Sequence, residues 1–179
     1  MNHPSHLQIA DSEDVETLLD EMADAIAPHL SESTALVGIL RRGAPLAEAL
    51  ADRLEDRTGR RPEVGKLKLK RYSDELELLH DRPELDEDTL DIDIEDRHLV
   101  LVDDVLFTGE SMLRAAGWLR AAGATKLQTA FLCVRAGRTM PVHADFVGAT
   151  LEVRPDWVIH CAVPPYEEAL GISVARTDD

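Results

Sequence analysis

Cysteine is scarce, positive charge is outnumbered, and no long apolar run occurs in this chain of 179 residues. Each shortage removes a class of protein. Two cysteines, Cys133 and Cys161, stand apart in apolar, strand-like surroundings, which argues against a disulfide framework or a cysteine metal site and reads as two buried thiols in a reducing compartment. Lys and Arg number 19 against 35 Asp and Glu, for a formal charge of −16 and a pI near 4.7. Broad nucleic-acid binding is driven by basic side chains that neutralise phosphates, so this balance opposes it. A transmembrane helix needs about 18 or more consecutive apolar residues, and the sequence contains no such run. Met1-Asn2-His3-Pro4-Ser5-His6 shows no basic segment leading into an apolar core, so no secretory leader is expected. A cytoplasmic protein without a membrane partner follows as the expectation. The length suits one α/β domain with a sizeable core.

What is present is concentrated in His98-Leu99-Val100-Leu101-Val102-Asp103-Asp104-Val105-Leu106-Phe107-Thr108-Gly109-Glu110-Ser111. An apolar β-branched run leads into two adjacent carboxylates, a short turn and a helical pattern beginning near Ser111. A loop at a helix N-terminus offers unpaired N–H groups to an anion, and glycine permits close backbone approach. The guest of such a loop is a phosphate. Asp103 and Asp104 would repel it, so they face hydroxyls or a metal ion, and a sugar phosphate meets both demands.

The rest of the chain repeats the strand–loop–helix theme. Val15, Leu18, Leu19, Met22, Ile26 and Leu30 fall at helical spacing and predict an amphipathic helix within residues 12–30. Ala35 to Leu40 reads as a buried strand that delivers Arg41-Arg42-Gly43 to a helix from about Pro45 to Arg57. Guanidinium groups and backbone amides beside Gly43 can receive an anion there. Glu63 to Lys70 predicts a second strand, and Arg60, Arg61, Lys66, Lys68, Lys70 and Arg71 place six basic residues in twelve positions. Such a cluster serves as a polar strand face, an anion-binding patch or an RNA-binding surface. Asp74 to Asp96 holds twelve acidic residues and one basic residue without sustained periodicity and predicts a loop. Ser111 to Gly123 continues as a helix, and Lys126 to Val134 as a strand. This alternation predicts a mainly parallel, twisted sheet flanked by helices, with ligands at the carboxyl ends of its strands. Both candidate loops occupy such ends.

The stretch from His98 to Ser111 resembles the phosphoribosyl pyrophosphate (PRPP) signature of type I phosphoribosyltransferases: an apolar strand, two acidic residues, two apolar residues, a variable position and Thr-Gly. Within that family the resemblance is to the pyrimidine operon regulatory protein / uracil phosphoribosyltransferase (PyrR-like) branch, which shares the Asp-Asp-Val-Leu start and an aromatic residue at the Phe107 position. The resemblance runs over roughly residues 35–150. It implies the type I phosphoribosyltransferase fold as a single domain over 1–179, with a small hood from residues 1–34 and 135–179 and a flexible flap over 71–97.

Carried over by position, Asp103 and Asp104 would hold the ribose and the Mg²⁺, directly or through water or substrate. Phe107, Thr108, Gly109, Glu110 and Ser111 would wrap the 5′-phosphate. Arg41, Arg42 and Gly43 would meet the pyrophosphate, and Arg71 and Tyr72, in Arg71-Tyr72-Ser73-Asp74, resemble the start of a flap that closes during catalysis. Asp145-Phe146-Val147-Gly148 resembles the equivalent stretch of purine and pyrimidine members alike, and Val105, Phe107, Trp157 and Val158 would contact the base. His160 and Tyr166 read as structural. The implied activity makes a nucleoside monophosphate and pyrophosphate from PRPP and a free base, with uracil the first candidate. A nucleotide-sensing RNA regulator is the second reading. A 6-oxopurine (hypoxanthine, guanine or xanthine) salvage enzyme is the third, favoured by Trp157, which falls where purine members stack an aromatic on the base, and opposed by Phe107 and Val134, where those members carry an acid and a lysine. The resemblance also implies a homodimer or homotetramer.

Overall fold

The computed structural model describes residues 6–69 and 89–177. Nine strands and three α-helices make up these residues, arranged as two sheets. The larger sheet runs β4-β3-β2-β5-β6-β7. Its strands are β2 (Thr34–Ile39), β3 (Glu63–Lys68), β4 (Thr89–Leu90), β5 (His98–Leu106), β6 (Lys126–Arg135) and β7 (Phe146–Leu151). All neighbours pair in parallel except β3 and β4, which are antiparallel. The smaller sheet joins β1 (His6–Ala10), β9 (Gly171–Arg176) and β8 (Trp157–Ala162), all antiparallel.

Side-chain alternation in the central strands explains the layering. Leu36, Val100, Val102, Ala130 and Leu132 face one side, where helix α1 (Ser12–Ile26) and helix α2 (Gly43–Thr58) cover them with Leu19, Met22, Leu46 and Leu50. Ala35, Val37, Leu99, Leu101 and Phe131 face the other side, against Met112, Ala115 and Leu119 of helix α3 (Glu110–Ala121). Apolar residues on both faces account for the unbroken hydrophobic runs of β2 and β5, as expected where helices cover a parallel sheet twice.

Helix α1 starts at Asp11, whose side chain accepts from the N–H of Asp14 at 3.0 Å while Asp14 accepts from the N–H of Asp11 at 3.1 Å, a reciprocal cap. Its acidic outer face is matched by α2. Arg53 pairs with Glu16 and Asp20, and Arg57 with Asp20 and Asp24. Arg61 likewise meets Glu48 and Asp52, and Arg60 meets Glu32. Two members of the basic cluster read from the sequence are therefore spent on carboxylates of this chain, while Lys66 and Lys68 stay exposed on β3.

Two element readings need correction. Strand β5 does not end at the acidic pair; it continues through Asp103, Asp104 and Val105 to Leu106, because Asp103, Val105 and Leu106 still pair with Phe131, Cys133 and Val134 of β6. The acidic stretch is not a loop throughout. Thr89–Leu90 form β4, and Leu90, Ile92 and Ile94 alternate inward against the α3-side core, with Ile94 buried. A Cβ on Gly65 would lie 2.6 Å from Ile92, so the glycine makes the room this packing needs. Strand β9 buries Ile172 and Val174 with Ser173 between them, and its small residues Gly171, Ser173 and Ala175 give it little signal in the sequence. Arg71, Tyr72 and the flap stretch over 70–88 lie outside the described residues.

Candidate active site

The carboxyl ends of β2, β5 and β6 lie side by side, and the polar residues of interest gather there. Gly43 begins α2 so close to β5 that a Cβ would stand 2.3 Å from the Val102 carbonyl oxygen and 3.2 Å from Cα of Asp103. Gly38 is similarly confined, since a Cβ there would stand 2.4 Å from Cα of Ala44. Two glycines thus let the turn carrying Arg41 and Arg42 press against the backbone that carries the acidic pair. The Leu40–Arg41 peptide in this turn is cis.

Asp103 and Asp104 are half-buried. Asp103 accepts from the N–H of Asp104, and Asp104 from the N–H of Val105, each at 2.9 Å. Their charge is felt nearby. The Cys133 thiol is pushed up to about 11 by burial and then by Asp104, and Cys161 is driven higher still by the same causes in the same order. Both thiols stay protonated at neutral pH and serve as packing. Arg42 is raised above the ordinary guanidinium range chiefly by its hydrogen bond to Glu167, with Asp104 adding its field. Glu167 is correspondingly lowered, first by Arg42 and then by the N–H of Val163.

Downstream of the acidic pair, Phe107 is 42% exposed. Gly109 is the N-cap of α3 with φ 89°, a conformation that favours glycine. The Thr108 carbonyl accepts from the N–H groups of Thr139 and Met140 at 3.2 and 3.0 Å, which ties this turn to the segment after β6. Glu110 and Ser111 open the helix and are exposed.

Arg135, the last residue of β6, was not foreseen as a site residue. It is only 7% exposed; its guanidinium carbon sits 4.1 Å from the Phe107 ring centroid, and Nη2 donates to the carbonyls of Arg154 and Pro155 at 3.1 and 3.4 Å. The turn carrying Phe107 and the segment leading into β8 are thereby joined through one side chain. Its signal in the sequence was an arginine ending an apolar strand. Glu167 and its pairing with Arg42 had no sequence signal, since 125 positions separate them. Tyr166, read as structural, carries the guanidinium of Arg41 over its ring at 4.7 Å.

Val105 and Trp157 are half-buried against the same apolar cluster on the α1–α2 side, and Val158, next to Trp157 in sequence, is half-buried as well. His160 is exposed. The structure therefore brings Asp103, Asp104, Arg42 and Gly43 together, and links Phe107 to the entry of β8.

For a divalent cation, the described residues contain no cluster of three or more His, Cys, Asp or Glu suited to hold one. Two adjacent carboxylates still fit Mg²⁺, which is commonly bound through one or two carboxylates together with substrate phosphates and water. Among the described residues no helix is long and apolar enough to cross a membrane.

Comparison with known proteins agrees with this geometry. The sequence pattern of the phosphoribosyl transferase domain matches residues 7–169. The chain is 38% identical over 174 residues to the "Bifunctional protein PyrR" of Roseiflexus sp., covering 95% of each chain. It is 34% identical over 148 residues to the protein of that name from Caldicellulosiruptor bescii, covering 82% of this chain and 81% of the relative. Among solved structures, the hypoxanthine phosphoribosyltransferase of Trypanosoma cruzi superposes with a TM-score of 0.71 at 19% identity, over 94% of this chain and 95% of the other. A hypoxanthine-guanine-xanthine phosphoribosyltransferase superposes at 0.70 with 16% identity, over 96% and 94%. At such identities these structures speak for the fold alone. With a mainly parallel sheet carrying an Asp-Asp pair near the carboxyl end of its central strand and a glycine-capped helix after it, the chain belongs to the type I phosphoribosyltransferase family, on its PyrR-like branch.

Proposed function

We propose that this phosphoribosyltransferase uses uracil as its base, forming a nucleoside monophosphate and releasing pyrophosphate from PRPP. The observation that carries the choice of base is Phe107. At the position where purine members resemble one another in carrying an acid, this chain presents an aromatic ring braced by the guanidinium of Arg135. The neighbouring Val134, where those members carry a lysine, is a buried aliphatic side chain.

In the reaction, a ring nitrogen attacks the anomeric carbon, the carbon–oxygen bond to diphosphate breaks, the diphosphate leaves with the electron pair, and the ring N–H proton passes to solvent. Asp103 and Asp104 hold the ribose hydroxyls. The turn from Phe107 to Ser111 gives the 5′-phosphate the N–H groups at the start of α3, while Arg41, Arg42 and Gly43 receive the diphosphate. Val105, Phe107, Trp157 and Val158 border the base, and Arg71 and Tyr72 begin the closing flap. Asp103 and Asp104 would hold Mg²⁺ together with the substrate, where it would supply charge neutralisation for the diphosphate. The chain itself mostly positions and neutralises. The β1-β9-β8 sheet, built from both ends of the chain, supports assigning those ends to a hood. A homodimer or homotetramer in the cytoplasm completes the proposal.

A nucleotide-sensing RNA regulator is the second reading, favoured by exposed Lys66 and Lys68 and opposed by the carboxylates that occupy Arg60 and Arg61. Pyrophosphate release from PRPP and Mg²⁺ with uracil, hypoxanthine, guanine, xanthine or adenine separates the possibilities. Turnover with uracil is expected. Turnover with a purine alone would assign the protein to salvage, and no turnover together with salt-sensitive RNA binding would make it a regulator.

A further inference from the structure

Both arginines of the β2–α2 turn are engaged by consecutive residues of the β8–β9 loop. Arg42 donates from Nε to Oε2 of Glu167 at 3.3 Å and from Nη2 to Oε1 in a short contact, a two-pronged, charge-assisted pair. Glu167 is anchored independently, because its Oε2 also accepts from the N–H of Val163 at 2.7 Å. One residue earlier, the Tyr166 ring lies under the guanidinium of Arg41 at 4.7 Å, within cation–π range. The pair is open to solvent, with 37% of the Arg42 side chain and 30% of the Glu167 side chain exposed. An anion can therefore reach it without unfolding the core.

The fork of a guanidinium matches a carboxylate and a phosphate in the same way. A group that already holds Nε and Nη2 uses the donors that a diphosphate oxygen would take. We propose that Glu167 is an affinity-setting residue of the diphosphate subsite: its carboxylate holds the fork of Arg42, and PRPP binds there by exchanging places with it. This rests on the reading of Arg42 as a diphosphate ligand. The exchange costs the ligand one charge-assisted pair, and it also lets the product diphosphate leave, since Glu167 returns as diphosphate departs.

Isothermal titration of PRPP with Mg²⁺ into the wild type, Glu167→Gln, Arg42→Ala and the double variant tests the exchange. Gln keeps the shape and the acceptor for the Val163 N–H but loses the charge. It should tighten PRPP by about tenfold, the worth of roughly one charged hydrogen bond, and strengthen product inhibition by pyrophosphate. Glu167→Asp, which keeps the charge but shortens the reach, should tighten binding by less. Arg42→Ala should weaken binding, and adding Glu167→Gln to it should change nothing further. Weaker or unchanged PRPP binding in both Glu167 variants, with Arg42→Ala still weakened, overturns the exchange and leaves the Arg42 reading standing. Wild-type affinity in Arg42→Ala overturns the Arg42 reading itself.

Discussion

Replacing Gly43 by alanine adds one carbon at the most confined point of the site. That carbon would lie 2.3 Å from the Val102 carbonyl oxygen, about 1 Å inside ordinary contact, and 3.2 Å from Cα of Asp103. Both neighbours are backbone, in a strand paired on both sides, so neither can swing away as a side-chain end would. The first turn of α2 must move instead. Overpacking of this kind costs about 1–3 kcal/mol, and in a domain of this size that lowers Tm by about 3–10 °C. The same displacement carries Arg42 away from the acidic pair. Misplacing a binding group by about 1 Å can cost up to a hundredfold in rate, so kcat/KM for PRPP should fall by one to two orders of magnitude, with a smaller change for the base. Gly117→Ala is the control, because a Cβ there meets nothing within 4 Å; it should be neutral or stabilising by up to about 1 kcal/mol. A Gly43→Ala protein with wild-type Tm and wild-type PRPP kinetics would refute the argument that close approach of α2 to β5 builds the site.

His98 shares hydrogen bonds with Thr34 at 3.1 Å and Gln128 at 2.9 Å, and burial, then Lys126, holds its pKa below the usual 6.5. A folded-state value below the unfolded one means that this contribution is fully present above about pH 6.5 and is lost as pH falls toward the folded value; the Tm of His98→Gln should therefore drop less between pH 7 and 5 than that of the wild type, and equal slopes would refute the assignment. Arg135→Met removes the support under Phe107 and leaves the Arg154 and Pro155 carbonyls without their donor. It should cost about 2–3 kcal/mol in denaturant unfolding and raise KM for the base more than for PRPP, whereas equal effects on both would reduce Arg135 to packing.

The parts of the fold legible in the sequence were those whose cause is local. Leu99 to Val102 and Ala35 to Ile39 are apolar on both faces, so their strands declared themselves, and Gly109 and Gly123 marked the two ends of α3 with positive φ. Strand β4 is only Thr89–Leu90, too short to register as an element, and the alternation of Leu90, Ile92 and Ile94 with aspartates that continues past it is submerged in a stretch dominated by acidic charge; the space above Gly65 shows what that alternation is for. In the site, Asp103, Asp104 and the glycines were readable as a motif. Arg135 and Glu167 were not, because their meaning depends on partners that only the folded chain supplies. The carboxylates opposite Arg60 and Arg61 illustrate the same limit: a basic cluster in the sequence is partly neutralised in the structure.

The central claim is that the acidic pair of β5 holds the ribose of PRPP. Asp104 is half-buried at the carboxyl end of the sheet, and its carboxylate oxygen accepts the N–H of the following residue, an acceptor role that an asparagine oxygen can also fill. Isothermal titration of PRPP with Mg²⁺ into the wild type and Asp104→Asn, with thermal unfolding of both, is the direct measurement. Binding should weaken by at least about tenfold, the loss of one charged hydrogen bond, with Tm nearly unchanged. Equal affinity in the two proteins, or a collapse of Tm in the variant, would contradict the account.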